Sequence, residues 1–233
     1  MLKQILQAFF SPAEIVSDIR KQRSATNLIV PALILVLSAG LYSYSFLTGN
    51  LYLRAVRNDF SPAEATQFNA MTEGQKGWVM DDFGIGMGIG LRVVPFLKLI
   101  VVCVGGLLVR AMLGGRANIM TSCSIAMYAA LPSALWDALA AARLEFSSGL
   151  DRISFRNPLP TSVGYFFGPR FSSPVNEALS WLDAFTLWSV VLASLSFSEL
   201  TSLPRWRAAI AVVGWFAAWV LLAAFWFSHS ALS

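Results

Sequence analysis

Apolar residues in this chain fall into long runs separated by shorter polar stretches. A hydrocarbon core about 30 Å thick takes roughly 20 mostly apolar residues per helix. Residues 28–47 meet that length, with Pro31 in the first turn, where a missing N–H does little harm. The small residues around Leu37 to Gly40 could mark a cleavage site. The long polar region before them favours a retained span instead. The second run, 83–113, contains Arg92, Pro95 and Lys98. It is expected to divide into a leading segment, Phe83 to Val94, and a more apolar part, Phe96 to Leu113. A third span is expected over 119–142, interrupted by Pro132, a fourth over 181–200 and a fifth over 208–227. The fold class read from this pattern is all-α. It is a polytopic bundle of five transmembrane helices over residues 28–228, preceded by a cytoplasmic N-terminal segment, 1–27, with an interfacial amphipathic helix.

In that first segment Ile15, Val16 and Ile19 recur at helical spacing, with Ile5, Leu6, Phe9 and Phe10 upstream and Arg20, Lys21 and Arg23 on polar positions. Such a stripe suits a helix lying on the cytoplasmic leaflet. The alternative is a soluble tail that only supplies basic charge. The pentapeptide FSPAE occurs at Phe10 to Glu14 and again at Phe60 to Glu64. In each copy Ser is an N-cap candidate, Pro suits the first helical position and Glu falls at the third, the pattern of a capping box. FSSPVNE, Phe171 to Glu177, approximates it before the fourth span. The copies share nothing beyond the pentapeptide, so they read as helix starts and not as a repeated module.

Composition sharpens this picture. Of 233 residues, 56% are hydrophobic and 13% charged, and the mean hydropathy is +0.62. Soluble domains carry about 25% charged residues. The net charge of +4 is small and its basic residues flank apolar runs, so nucleic acid is not an expected partner. Lys3, Arg20, Lys21 and Arg23, then Arg110 and Arg116, then Arg205 and Arg207 alternate onto one side, which the positive-inside rule makes cytoplasmic. The C-terminus is then outside. The outer loops are mixed in sign, with Asp59, Glu64, Glu73, Asp81 and Asp82 outnumbering Arg54, Arg57 and Lys76. Trp78, Trp181 and Trp206 fall at the expected interfaces. Trp188, Trp215, Trp219 and Trp226 read as packing residues. Cys103 and Cys123 read as reduced packing residues, and His229 has no partners for a metal site.

Candidate chemistry is sparse. Gly84, Gly86, Gly88 and Gly90 alternate in FGIGMGIG. No strand precedes them and the spacing is not that of the dinucleotide fingerprint. As two G-x-x-x-G pairs they suit close helix packing in lipid, or a flexible segment. Arg92, Lys98, Asp137 and Asp183 are ionisable groups inside or at the edge of spans, where such groups face the interior, pair, or line a wet cavity. The topology puts all four in the outer half of the membrane, with Lys98–Asp137 and Arg92–Asp183 as candidate pairs. They either fix helix order or serve a polar ligand. Arg143 and Glu145 lie near the outer border, within snorkelling reach. No H-E-x-x-H, G-x-S-x-G or P-loop lysine motif is present, so neither catalysis nor a cofactor is expected.

Several stretches together resemble the Yip family of Ypt/Rab-interacting membrane proteins in its bacterial form. They are FFSPAEIVSDIRKQRSATNLIVPALI at the start, YAALPSALWDAL at Tyr128 to Leu139, WLDAFTLWSVVLASLSFSEL at Trp181 to Leu200, and RWRAAIAVVGWFAAWVLL at Arg205 to Leu222. The resemblance implies a five-span fold with a cytoplasmic N-terminus in a bacterial inner membrane, and a role in membrane organisation or trafficking. The DLYGP motif of eukaryotic members and their long N-terminal region are missing, so Rab binding does not carry over. Two functions follow as expectations. One is a non-catalytic scaffold that meets the lipid bilayer and associates with itself or other membrane proteins. The other is a small transporter or lipid-handling protein that uses the intramembrane charges.

Overall fold

The computed structural model describes residues 2–21, 24–47, 62–114, 118–146, 158–167 and 173–230. In chain order the helices are α1 (Leu2–Phe10), α2 (Pro12–Lys21), α3 (Thr26–Leu47), α4 (Pro62–Ala70), α5 (Glu73–Met112) and α6 (Ile119–Ala129). They continue with α7 (Leu131–Phe146), α8 (Val163–Phe167), α9 (Ser173–Ser180), α10 (Ala184–Thr201) and α11 (Arg205–Ser230). Among the described residues there is no strand, and an isolated antiparallel bridge joins Ser162 and Asp183. Among the described residues, five stretches are long and apolar enough to cross a membrane: Thr26–Ser45, Arg92–Met112, Ile119–Phe146, Ala184–Thr201 and Arg205–Phe225. The protein is therefore an all-α polytopic membrane protein.

The expected division of the second run does not occur. α5 is one helix of 40 residues, about 60 Å long, and passes through both the alternating glycines and Pro95. A proline inside a transmembrane helix is tolerated when neighbouring groups take over the carbonyl it leaves unbonded. The division reappears at the level of packing. The chain forms two compact units, and the boundary within α5 falls between Val94 and Pro95. The third span is interrupted as expected. α6 stops at Ala129 and α7 starts at Leu131, one residue ahead of Pro132, which has no N–H to continue the first ladder.

The first unit comprises Met1–Ser38, Pro95–Trp136 and Ala184–Leu222. Its centre is α6, in which every residue from Thr121 to Ala129 is buried. Asn118 starts this helix, its side chain accepting from the Met120 N–H at 2.9 Å. The buried hydroxyls of Ser122 and Ser124 bond back to the carbonyls of Asn118 (3.0 Å) and Met120 (2.9 Å), so they enter the core satisfied. Gly105 and Gly106 let α5 come close to its neighbours. A Cβ at Gly106 would lie 2.6 Å from the Cβ of Ala126 and 3.3 Å from the Ser122 carbonyl, and one at Gly105 would enter the Trp215 ring. Val109, Ile125, Tyr128, Phe197, Ala208, Ala211 and Val212 complete the apolar core around this approach.

The N-terminal helices belong to the same core. The segment is amphipathic as read, but its apolar stripe meets protein instead of lipid. Ile15, Val16 and Ile19 are each 2% exposed, and α2 packs on α6 and α10. Two contacts fix its direction. The Phe10 ring meets Trp188 edge-on at 6.5 Å, and the Arg20 guanidinium donates to the Leu200 carbonyl, so α2 runs alongside α10 in the same sense. The stripe is complementary to the two helices it covers, which buries it more fully than a leaflet surface could. Leu6 and Phe10 on α1 are left exposed. The first FSPAE copy does start a helix at Pro12, but without the reciprocal box. The Ser11 N–H is already bonded to the Gln7 carbonyl (2.7 Å), and Glu14 accepts from the Gln7 amide (2.8 Å). Ser61 of the second copy lies outside the described residues.

The second unit comprises Ala39–Val94, Asp137–Asp183 and Ala223–Ser233. Here a reciprocal capping box forms at TEGQ, where the Thr72 N–H donates to Gln75 Oε1 (2.9 Å) and the Gln75 N–H to Thr72 Oγ1 (3.4 Å). It starts α5, and Lys76 pairs with Glu73 at 2.8 Å one turn on. Farther along the chain α8 packs against α9.

The close approach of α5 to α6 gives a direct test. Gly106→Ala is expected to destabilise the protein by about 1–3 kcal/mol, the usual range for overpacking. Adding Ala126→Gly, which removes the methyl it meets, should recover most of that loss. Thermal unfolding of the two single variants and the double variant in detergent measures the coupling, and additive losses would show that the contact does not form.

Candidate functional site

The four ionisable residues singled out by sequence divide between the two units. Lys98 belongs to the first, and Arg92, Asp137 and Asp183 to the second. On α5, Lys98 is half-buried and its Nζ donates to the Ser133 carbonyl at 3.4 Å, tying α5 to the first turn of α7 beside Pro132. Arg92 is exposed and is the first residue of its span, a border position from which a long cationic side chain reaches the headgroup layer. Asp137 and Asp183 are 5% and 7% exposed. Asp183 immediately precedes Ala184, the N-cap position of α10, where a carboxylate favours the positive end of the helix. Gly84, Gly86, Gly88 and Gly90, with Asp81 and Asp82, lie where the backbone alone is described, and that backbone is helical. Arg54, Arg57 and Asp59 lie outside the described residues.

A polar group that sequence reasoning passed over sits in the second unit. The Arg143 guanidinium, near the end of α7, lies over the Tyr165 ring with 5.8 Å to the centroid. The Tyr165 N–H in turn donates to Ser162 Oγ at 3.1 Å, an N-cap for α8. The Val163 N–H donates to the Leu182 carbonyl at 3.1 Å, which brings the start of α8 beside Asp183. Arg143 Nη1, Thr161 Oγ1 and Asn176 Oδ1 are buried and find no hydrogen-bond partner among the described residues. A free snorkelling arginine would show none of this. Its signal in sequence was weak, because Arg143 and Tyr165 are 22 positions apart across a segment with no periodic pattern.

A second candidate is a cleft of about 310 Å³ between α2 and the end of α10, lined by Ala13, Val16, Ser17, Arg20, Lys21 and Glu199. Beneath it Arg20 caps the last turn of α10, supplying a donor and a positive charge where a helix exposes unbonded carbonyls. Ser202 follows in the left-handed region at φ 55°, ending the helix before Pro204. Cys103 and Cys123 are both free thiols. Among the described residues no three His, Cys, Asp or Glu side chains lie close enough together to hold a metal.

Five apolar spans, a buried central helix and polar groups gathered toward the span ends define a multi-pass membrane protein. The Yip1 domain model matches residues 6–227, nearly the whole chain, and the protein belongs to that family. Membership links it to membrane trafficking. No curated protein and no solved structure matches it significantly.

The different settings of Lys98 and Arg92 predict different costs. Lys98→Met removes a charged donor from a part-buried carbonyl and should lower stability by about 1–2 kcal/mol without changing helix content. Arg92→Met, at an exposed border, should stay within about 0.5 kcal/mol of wild type. Thermal melts and circular dichroism in detergent check both, and an equal loss in the two would contradict these placements.

Proposed function

We propose that this protein is a non-catalytic, membrane-organising scaffold of the Yip type, set in a bacterial inner membrane with its N-terminus cytoplasmic and its C-terminus outside. The observation that supports this most is the docking of α2. With Ile15, Val16 and Ile19 buried against α6 and α10, the outward side of the helix, carrying Ala13, Glu14, Arg20 and Lys21, is held in a fixed position. A rigid surface of mixed charge suits recognition of other membrane proteins or of a second copy. Affinity gains when the contact residues need no ordering on binding. The basic residues support this orientation, since Arg205 and Arg207 are exposed in the first turn of α11, just past the Arg20-capped end of α10.

Two outcomes follow. In a variant lacking Cys103 and Cys123, a cysteine at exposed Thr72 should react with an impermeant maleimide in intact cells, and one at exposed Asn118 should react only after lysis. The reverse pattern would invert the orientation. In native nanodiscs the wild-type protein should run as a dimer or a larger assembly. Val16→Asp, which buries an unpaired carboxylate under α2, should undock that helix and reduce assembly at equal membrane abundance. A wild-type chain that is monomeric and without partners would sink the scaffold reading.

A further inference from the structure

Where α5 and α6 come closest, two thiols meet. Cys103 on α5 and Cys123 on α6 are hydrogen-bonded to each other through their side chains. Cys123 is 8% exposed and Cys103 is half-buried. The helices run in opposite senses, and Gly106 lies against Ala126 and the Ser122 carbonyl. Cys103, about one turn before Gly106 on α5, therefore falls farther along α6, toward Met127. Cys123 and Met127, four residues apart, share one face of that helix. Met127 is 3% exposed and forms a buried cluster with Leu35 and Ala134, against which Cys103 packs. Two thiols and a thioether thus converge within the first unit.

A thiol is a weak donor and its sulfur a weak acceptor, so the bond between the two is readily exchanged for a stronger one. Thiolate and thioether sulfurs are soft ligands that select monovalent copper. Zinc takes four ligands in a tetrahedron. It would find only two strong ones, since among the described residues no three His, Cys, Asp or Glu side chains lie close enough together to hold a metal. Two thiolates around a monovalent cation leave one negative charge, which is costly at membrane depth unless paired. The Arg110 guanidinium, two turns beyond Cys103 on α5, is close enough to act electrostatically on Cys123.

We propose that Cys103, Cys123 and Met127 form a binding site for a soft monovalent cation of the cuprous class, with Arg110 as its counter-charge. On binding, the thiol–thiol hydrogen bond breaks and each thiol releases its proton to solvent. Two thiolate–copper bonds form and no electron is transferred. Met127 adds a neutral third sulfur. Cys123 is about 6 Å from the start of α6, so the cation and the protons have a short path to the membrane border. The site joins two helices of one chain and needs neither a partner protein nor a given orientation, so it stands or falls separately from the scaffold reading.

The experiment is an anaerobic titration of the reduced, detergent-solubilised full chain with cuprous ion, in competition with the chelator bathocuproine disulfonate. The wild type should hold one ion per chain, with only sulfur neighbours in the X-ray absorption spectrum, and excess zinc should not displace it. Cys103→Ser and Cys123→Ser should each weaken binding at least about a hundredfold, since each removes one of two charged ligands. Met127→Leu, which conserves volume, and Arg110→Gln should each weaken it about tenfold. Met112→Leu, at the exposed end of α5, should leave affinity unchanged. Cuprous ion should also raise the unfolding temperature of the wild type and of neither cysteine variant. Should Cys123→Ser fail to fold, Cys123→Ala removes the same ligand and leaves no hydroxyl to satisfy. Binding unaffected by the cysteine variants, oxygen or nitrogen neighbours around the copper, or equal losses in Met112→Leu and Met127→Leu would each overturn the proposal.

Discussion

Everything in the first unit depends on how closely α5 can approach α6. Helices in lipid gain little from burying apolar surface against one another, because the acyl chains are equally apolar. Association then rests on packing and on polar groups that find partners. Gly106 against Ala126 supplies the packing, and the hydroxyls of Ser122 and Ser124, turned back onto carbonyls one turn earlier, let Thr121 to Ala129 be buried with these donors satisfied. With α6 enclosed, its far surface becomes the platform on which α2 and α10 dock. The cap that Arg20 gives to Leu200 follows from that docking and does not cause it.

The spans were readable because membrane crossing imposes a length and a composition on each helix separately. The five apolar runs required no knowledge of tertiary contacts, and their ends shifted by only a few residues except at the start of the second, expected at Phe83 and found at Arg92. What the helices do to one another was less readable. The eye-catching glycines at positions 84–90 sit within one continuous helix. The glycines whose close contacts can be seen are Gly105 and Gly106, an adjacent pair with no motif to announce it. Whether a glycine matters depends on what faces it, and Ala126 and Trp215 are distant in sequence.

Capping shows the same limit at shorter range. FSPAE contains the residues of a capping box and correctly marks a helix start, yet its serine N–H was already committed to the preceding helix and its glutamate turned to Gln7. TEGQ, less conspicuous, makes the reciprocal bonds although α4 ends only two residues before it, because the Thr72 N–H donates to Gln75 and not to a carbonyl of that helix. A local motif specifies what its atoms can do. Neighbouring elements determine what they actually do.

The charged residues carry this reasoning to function. Depth in a span made Lys98, Asp137 and Asp183 attractive candidates, but depth alone does not separate a structural role from a binding one. Lys98 bonds a carbonyl and Asp183 stands at a helix start, and both are accounted for by local structure. Arg143 was set aside because a border arginine can reach water. It instead lies over an aromatic ring with a buried N–H that finds no partner among the described residues, as do the Thr161 hydroxyl and the Asn176 amide oxygen in the same unit. Residual hydrogen-bonding capacity, and not burial of charge, is the better guide to where such a protein meets another molecule. A buried group whose bonds are complete has no further interaction to offer. One whose bonds are incomplete has been kept at a cost to the fold, and that cost is recovered when a ligand of matching polarity arrives.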